Sequence, residues 1–173
     1  IFTVAGVAAN TTINGDTATT STTTSATAIG FETLYPNIAE VGAQTLTVET
    51  NAAAGFTVTV QQDQVLTSAT GATIDNFING ANTASSSTWQ APAGTLGSFD
   101  TYGHFGVTSE DDTLSNSSLI FGTALYAGNI STARQVFYHN GPADGSTAHQ
   151  GRTRIGYKVQ IGPLQEAGTD YSN

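Results

Sequence analysis

The chain has 173 residues, enough for a single domain with a sizeable core, and it contains no cysteine. Disulfide staples and thiol redox chemistry are therefore excluded. Its formal net charge of −9, from 4 basic and 13 acidic residues, argues against nucleic-acid binding, which needs a basic footprint.

Hydrophobic residues make up 38% of the chain and charged residues only 10%. Threonine fills much of the rest, at 30 positions. A β-branched side chain loses χ1 freedom in a helix and packs well on a pleated strand. The composition therefore predicts an all-β fold. All 4 basic residues lie in 134–173, so residues 1–133 carry 10 acids and no base. That asymmetry could steer head-to-tail contacts between copies, against the plainer reading of an accident of composition. The chain opens on Ile1, shows no basic leader and has no apolar run long enough to span a bilayer. It reads as a mature secreted product from which a signal segment has been removed.

In chain order, Ile1 to Ala8 is the first predicted strand. Ile1, Ala5 and Val7 share one face, and Phe2, Val4 and Ala8 share the other. A strand apolar on both faces calls for cover on both. Residues 1–12 are set apart as this N-terminal strand, and 13–27 as a Thr/Ser-rich connecting segment whose composition offers no core. Residues 28–173 are assigned to one β-sandwich domain.

Leu46 and Val48 alternate with threonines, as do Phe56, Val58 and Val60. Joined by the turn-capable Asn51 to Gly55, these two runs are expected to pair as adjacent antiparallel strands with one wet face each. Residues 62–101 read as a long loop with short strands. Further strands are expected over Tyr102 to Val107, Ser118 to Phe121 and Arg134 to His139, with a short helix or turn over 123–133. The clearest late strand is Arg152 to Ile161, with Ile155, Tyr157, Val159 and Ile161 inward and Arg154, Lys158 and Gln160 outward. About eight to ten strands at these spacings suggest an antiparallel β-sandwich or jelly roll with long loops.

No motif for catalysis stands out. There is no nucleophile elbow, phosphate loop or zinc-protease helix. His104, His139 and His149 lack ligand spacing. Glu32 and Glu40 could serve a glycosidase only if the fold paired them. Asp100, Glu110, Asp111 and Asp112 offer hard oxygens for calcium, but without an EF-hand pattern, and a solvated turn is the simpler reading. No cofactor is expected. Trp89 with Tyr102 and Tyr126 could form a sugar-stacking platform, against the plainer reading of a core tryptophan. Lys158, the sole lysine, is expected on the wet face, which argues against a buried amide crosslink to Asp or Asn. Asn10, Asn116 and Asn129 begin acceptor sequons for glycosylation.

Three passages are familiar together: Phe2 to Thr12, Thr50 to Val60, and Gly156 to Ile161 with Leu164 to Gly168 and Tyr171. They resemble a group of uncharacterised secreted bacterial β-sandwich proteins. More distantly the layout is similar to TasA/camelysin-type matrix fibre subunits and other donor-strand pili. The resemblance implies a further strand after the Tyr171 region, past Asn173, the last residue of the sequence.

The function expected is therefore a non-enzymatic structural subunit of an extracellular filament, at the cell surface or in a biofilm matrix. Ile1, Phe2, Val4, Ala5 and Val7 would be the donor strand that completes a neighbouring copy. The partner is the chain itself, without nucleic acid or a membrane span. The alternative is a monomeric surface module with glycan contacts.

Overall fold

The computed structural model describes residues 1–78, 85–128 and 132–173. Its first eight strands are β1 (Phe2–Gly6), β2 (Thr12–Ile13), β3 (Asp16–Thr17), β4 (Thr23–Thr24), β5 (Ile29–Gly30), β6 (Ala39–Thr50), β7 (Phe56–Val60) and β8 (Leu66–Thr67). The others are β9 (Thr73–Asn76), β10 (Ser87–Thr88), β11 (Gly103–Ser109), β12 (Leu125–Tyr126), β13 (Arg134–His139), β14 (Ala143–Asp144) and β15 (Arg152–Ile161). Single 3-10 turns occupy Phe99–Thr101 and Ser117–Leu119, the second where a strand was expected. Of the helix or turn expected over 123–133, residues 123–124 form a turn leading into β12, and 129–131 lie outside the described residues.

The protein is all-β. Its main sheet is curled and runs β1-β6-β15-β11-β9-β8, with β14 also paired to β6. Every ladder in it is antiparallel except β9 on β11, so the sheet is mixed. The segments outnumber the expected strands because many are two-residue pairs in loops, which no alternation pattern announces.

One expected pairing is replaced. β6 and β7 are not neighbours: β6 lies between β1 and β15, while β7 pairs with β13 in a separate ribbon. The link between them carries the chain from one layer to the other. Gly55 makes this possible, with φ at 71° and a position where a Cβ would lie 1.8 Å from the His139 carbonyl oxygen.

The core fills the space between sheet and ribbon. Leu46, Val48, Phe105, Val107, Ile155, Tyr157 and Val159 come from the sheet; Val136 and Phe137 come from the ribbon, with Phe56, Val58 and Val60 packed against them. A register shift between Gln135 and Phe137 bulges β13, so the consecutive residues Val136 and Phe137 are both buried. Ser109 Oγ donates to the Val136 carbonyl at 2.6 Å, satisfying a buried acceptor at the bulge.

The opposite face of the sheet is covered too. Ile13, Ala18 and Ala43 form a small second cluster with Val7 against it. Gly156 sits beneath Ile13, where a Cβ would meet that side chain at 3.3 Å. The Thr/Ser-rich segment thus contributes buried residues, because Ile13 and Ala18 need only a narrow strip of sheet to close over.

Candidate functional site

The first candidate is the free edge of β1. Ile1 and Glu49 exchange both backbone hydrogen bonds, at 2.6 and 2.9 Å. Alternation along the ladder then turns the N–H and C=O of Phe2 and Val4 away from β6. Val4 packs on the main core and Val7 on the second cluster, so the strand's two apolar faces do find partial cover. Ala5 is exposed, Phe2 is 53% exposed and Ile1 is 80% exposed. The edge ends at Gly6, where a Cβ would lie 2.0 Å from the Thr24 carbonyl oxygen. Nothing charged, no proline and no bulge protects Phe2–Gly6, the usual devices that keep an edge strand from pairing. At the other end of the chain, Ser172 bridges to Thr67 beside β8.

The second candidate is a polar and aromatic cluster on the face opposite the main core. The expectation that Lys158 and Gln160 meet water is corrected here. The 12–17 hairpin and the segment carrying Trp89 cover that face, leaving the Lys158 side chain 13% exposed. Lys158 Nζ donates to Asp16 Oδ2 at 2.8 Å, and the Tyr126 hydroxyl donates to the same oxygen at 2.6 Å. Nζ also lies 5.3 Å from the Trp89 ring centre and 5.1 Å from that of Tyr126. Trp89 stacks on Phe77 at 5.0 Å and donates its indole N–H to Gln160 Oε1 at 2.8 Å. Gly106 leaves room for this stack, since a Cβ there would come within 3.0 Å of both rings.

Burial raises the Asp16 carboxyl, but the hydrogen bonds from Lys158 and Tyr126 and the lysine charge together outweigh it and hold it below the usual carboxylate range. Burial and the Asp16 contact push the Tyr126 phenol far up, so it is a donor at any physiological pH. Residue spacing gave no hint of Asp16 as a partner. The available signal was Asn14-Gly15, a two-residue hairpin dipeptide. Both residues have positive φ, 46° and 87°, and they turn β2 into β3 so that Asp16 arrives beside Lys158.

A sugar platform of Trp89, Tyr102 and Tyr126, the alternative to a core tryptophan, does not assemble. Tyr126 is fully buried, Trp89 is half-buried within the cluster, and Tyr102 instead packs edge-on to Phe99 at 5.5 Å. Phe99, Tyr102, Leu164, Gln165 and Glu166 line a separate cleft of about 480 Å³ by the β8–β9 turn.

The calcium set is also dispersed. Asp100 lies at the start of β11 and the acidic run at its end. Glu110 is paired with Arg154 at 2.7 Å. Asp111 is fully buried, accepting from Thr113 N–H and hydroxyl at 2.8 and 2.7 Å and from Tyr138 N–H at 2.8 Å. Asp111, Asp112 and His149 do offer ligand atoms within 4.8 Å of one another. His139 stands apart from them, against Phe56. Glu40 is buried against Ser21, and Glu32 accepts from Thr23 at 3.4 Å, so both have protein partners. Asn10 is exposed, Asn116 caps a 3-10 turn by accepting from Ser118, and Asn129 lies outside the described residues.

His104 is fully buried at the start of β11, its Nδ1 2.7 Å from the Gln90 carbonyl and its ring edge-on to Trp89. Burial pushes its imidazole below the usual value, against the opposing pull of the Gln90 and Asp100 carbonyls and the Asp75 and Asp100 charges. The unfolded chain therefore takes up this proton first, and stability falls as pH drops below about 6.5. Thermal melts between pH 7.5 and 5 should show a lower midpoint at the acid end, and His104→Gln should flatten that slope; equal slopes would rule out this origin.

No helix among the described residues is long and apolar enough to cross a membrane. No family model matches the chain, and no curated protein or solved structure matches it either.

Proposed function

We propose that the chain is a non-enzymatic structural subunit of an extracellular filament, a β-sandwich that assembles with copies of itself by exchange of the β1 strand. The observation that carries this reading is the unprotected β1 edge with Ile1 and Phe2 exposed beside it. In one copy β1 pairs with its own β6. The same five-residue ladder could be formed by β1 of a neighbour, with main-chain hydrogen bonds supplying affinity and Val4 the side-chain anchor. The residues between β1 and β2 would then bridge the two copies, leaving Ile13, Asp16 and Ala18 on their own sheet. Such a contact joins different surfaces of the two partners, so it propagates into a fibre.

Deletion of residues 1–8 should leave monomers by electron microscopy and sedimentation, where the intact chain forms fibres. Phe2→Lys should leave both the fibres and the melting midpoint close to those of the parent, because Phe2 stays half exposed in the exchanged ladder; loss of fibres there would point to edge-to-edge pairing instead. Fibres that persist after the deletion would sink the mechanism.

The Phe99 cleft favours a second reading, a surface module whose aromatic rings stack on sugars next to the amide of Gln165 and the carboxylate of Glu166. A chain that stays monomeric and is retained on insoluble polysaccharide would support it instead.

A further inference from the structure

We propose that Lys158 and Asp16 become joined by an amide bond in the folded protein, in a spontaneous condensation assisted by Tyr126. The proposal stands apart from the filament reading, since monomer and fibre would both carry the bond.

Four observations meet at this pair. The reacting groups are already in contact, Nζ to Oδ2 at 2.8 Å, and they belong to β15 and β3, elements far apart in the chain and fixed by the fold. Water is largely kept away: the Lys158 side chain is 13% exposed and that of Asp16 is 29% exposed. Trp89 and Tyr126 wall the amine with aromatic rings. Finally, the buried Tyr126 hydroxyl donates to the carboxyl oxygen at 2.6 Å, where it can steady charge that develops on that oxygen.

The chemistry balances without any added reagent. The pair rests as ammonium and carboxylate. Transfer of one proton from Nζ to Asp16 gives a neutral amine and a neutral acid, a form that low-dielectric surroundings penalise least. That proton rests on Oδ2, the oxygen Nζ contacts. The Nζ lone pair then attacks Cγ and forms the C–N bond, while the carbonyl electrons move onto Oδ1. Collapse of the tetrahedral carbon re-forms that carbonyl and breaks the bond from Cγ to Oδ2, whose departing charge the Tyr126 hydroxyl steadies. Oδ2 leaves as water, carrying the acid proton and one proton from nitrogen. The product is a neutral amide and one water, with no oxidation or reduction. Fixed proximity is what lets so poor an acylating group react, because positioning two partners in a fold is equivalent to a very high local concentration. The ionic resting state keeps the neutral pair scarce, so the bond should form slowly, once per molecule.

The test is the intact mass of the folded full-length chain. The expected mass is one water below that of the sequence. After trypsin, the bond at Lys158 should resist cleavage and its peptide should stay attached to the one containing Asp16. Asp144-Gly145 can also lose water, by forming a succinimide, and this is distinguished by Lys158→Arg: the succinimide loss would survive that substitution and the crosslink would not. Asp16→Asn should reach the same final mass as the crosslinked parent, because it releases ammonia. A folded parent chain at its full sequence mass overturns the proposal, and so does a water loss that persists in Lys158→Arg. A variant that folds poorly does not blunt the test, since the parent mass is read on the unaltered protein.

Discussion

Replacing Phe137 with Ala should cost about 3–5 kcal/mol, the largest loss expected from any single core truncation here. Phe137 has no exposed surface and meets Phe56 edge to face at 4.8 Å. With Val136, Phe56, Val58 and Val60 it joins the β7–β13 ribbon to the core of the main sheet. The bulge that buries it alongside Val136 also fixes the backbone, with Ser109 bonded to the Val136 carbonyl. The ribbon therefore cannot slide to refill the space, and the cavity remains. For a chain of this size the midpoint of thermal unfolding should drop by roughly 6–20 °C. Phe137→Leu, which keeps most of the volume, should lose less than half as much. Equal losses for Ala and Leu would mean that the aromatic contact, not the volume, matters.

Asp111→Ala should be the most damaging polar substitution, at about 3–5 kcal/mol for the loss of hydrogen bonds to a charged acceptor. The carboxylate satisfies Thr113 N–H and Tyr138 N–H, tying the turn after β11 to β13. Alanine would leave these donors without their acceptor, and each unsatisfied buried group costs about 1–3 kcal/mol. Asp111→Asn should fall between, because its amide can still accept from one side but turns a donor toward the other. Denaturant unfolding at neutral pH measures the loss, and amide exchange at Tyr138 locates it. Unchanged protection at Tyr138 in the alanine variant would show that the bond contributes nothing. The same geometry explains why the acidic run looked like a cation site: Asp111 is an acceptor, but for its own backbone.

The β class was legible in the sequence because threonine and alternation act locally. The strands around Phe105, Phe137 and Tyr157 emerged from their spacing alone. Lys158 shows where such reading stops. Alternation tells which residues share a face with Arg154 and Gln160, and that grouping holds in the register of β15 on β6. It does not tell what lies over the face. The cover comes from Ile13, Asp16 and Trp89, whose placement depends on turns and crossovers remote in the chain. The pairing of β6 failed for a related reason: a five-residue link suits a hairpin, and only Gly55 against the His139 carbonyl reveals that it crosses between layers. Asp111 was visible as an acid but not as a buried one, because its partner Tyr138 belongs to another strand.

The position of β15 also bears on how the molecule comes together. It is the last long strand in the chain, yet it lies in mid-sheet between β6 and β11. Until residues 152–161 exist, neither neighbour has its inner ladder, and the core side chains of Ile155, Tyr157 and Val159 are missing from between them. A ribosome-bound chain would thus hold its central strands apart until late, and collapse would wait for a contact of long sequence separation. Such topologies fold on the slow side, in milliseconds to seconds, and expose unpaired strands meanwhile. Closure of the main sheet thus waits on one segment, residues 152–161, and a change there would be felt first in the rate of folding.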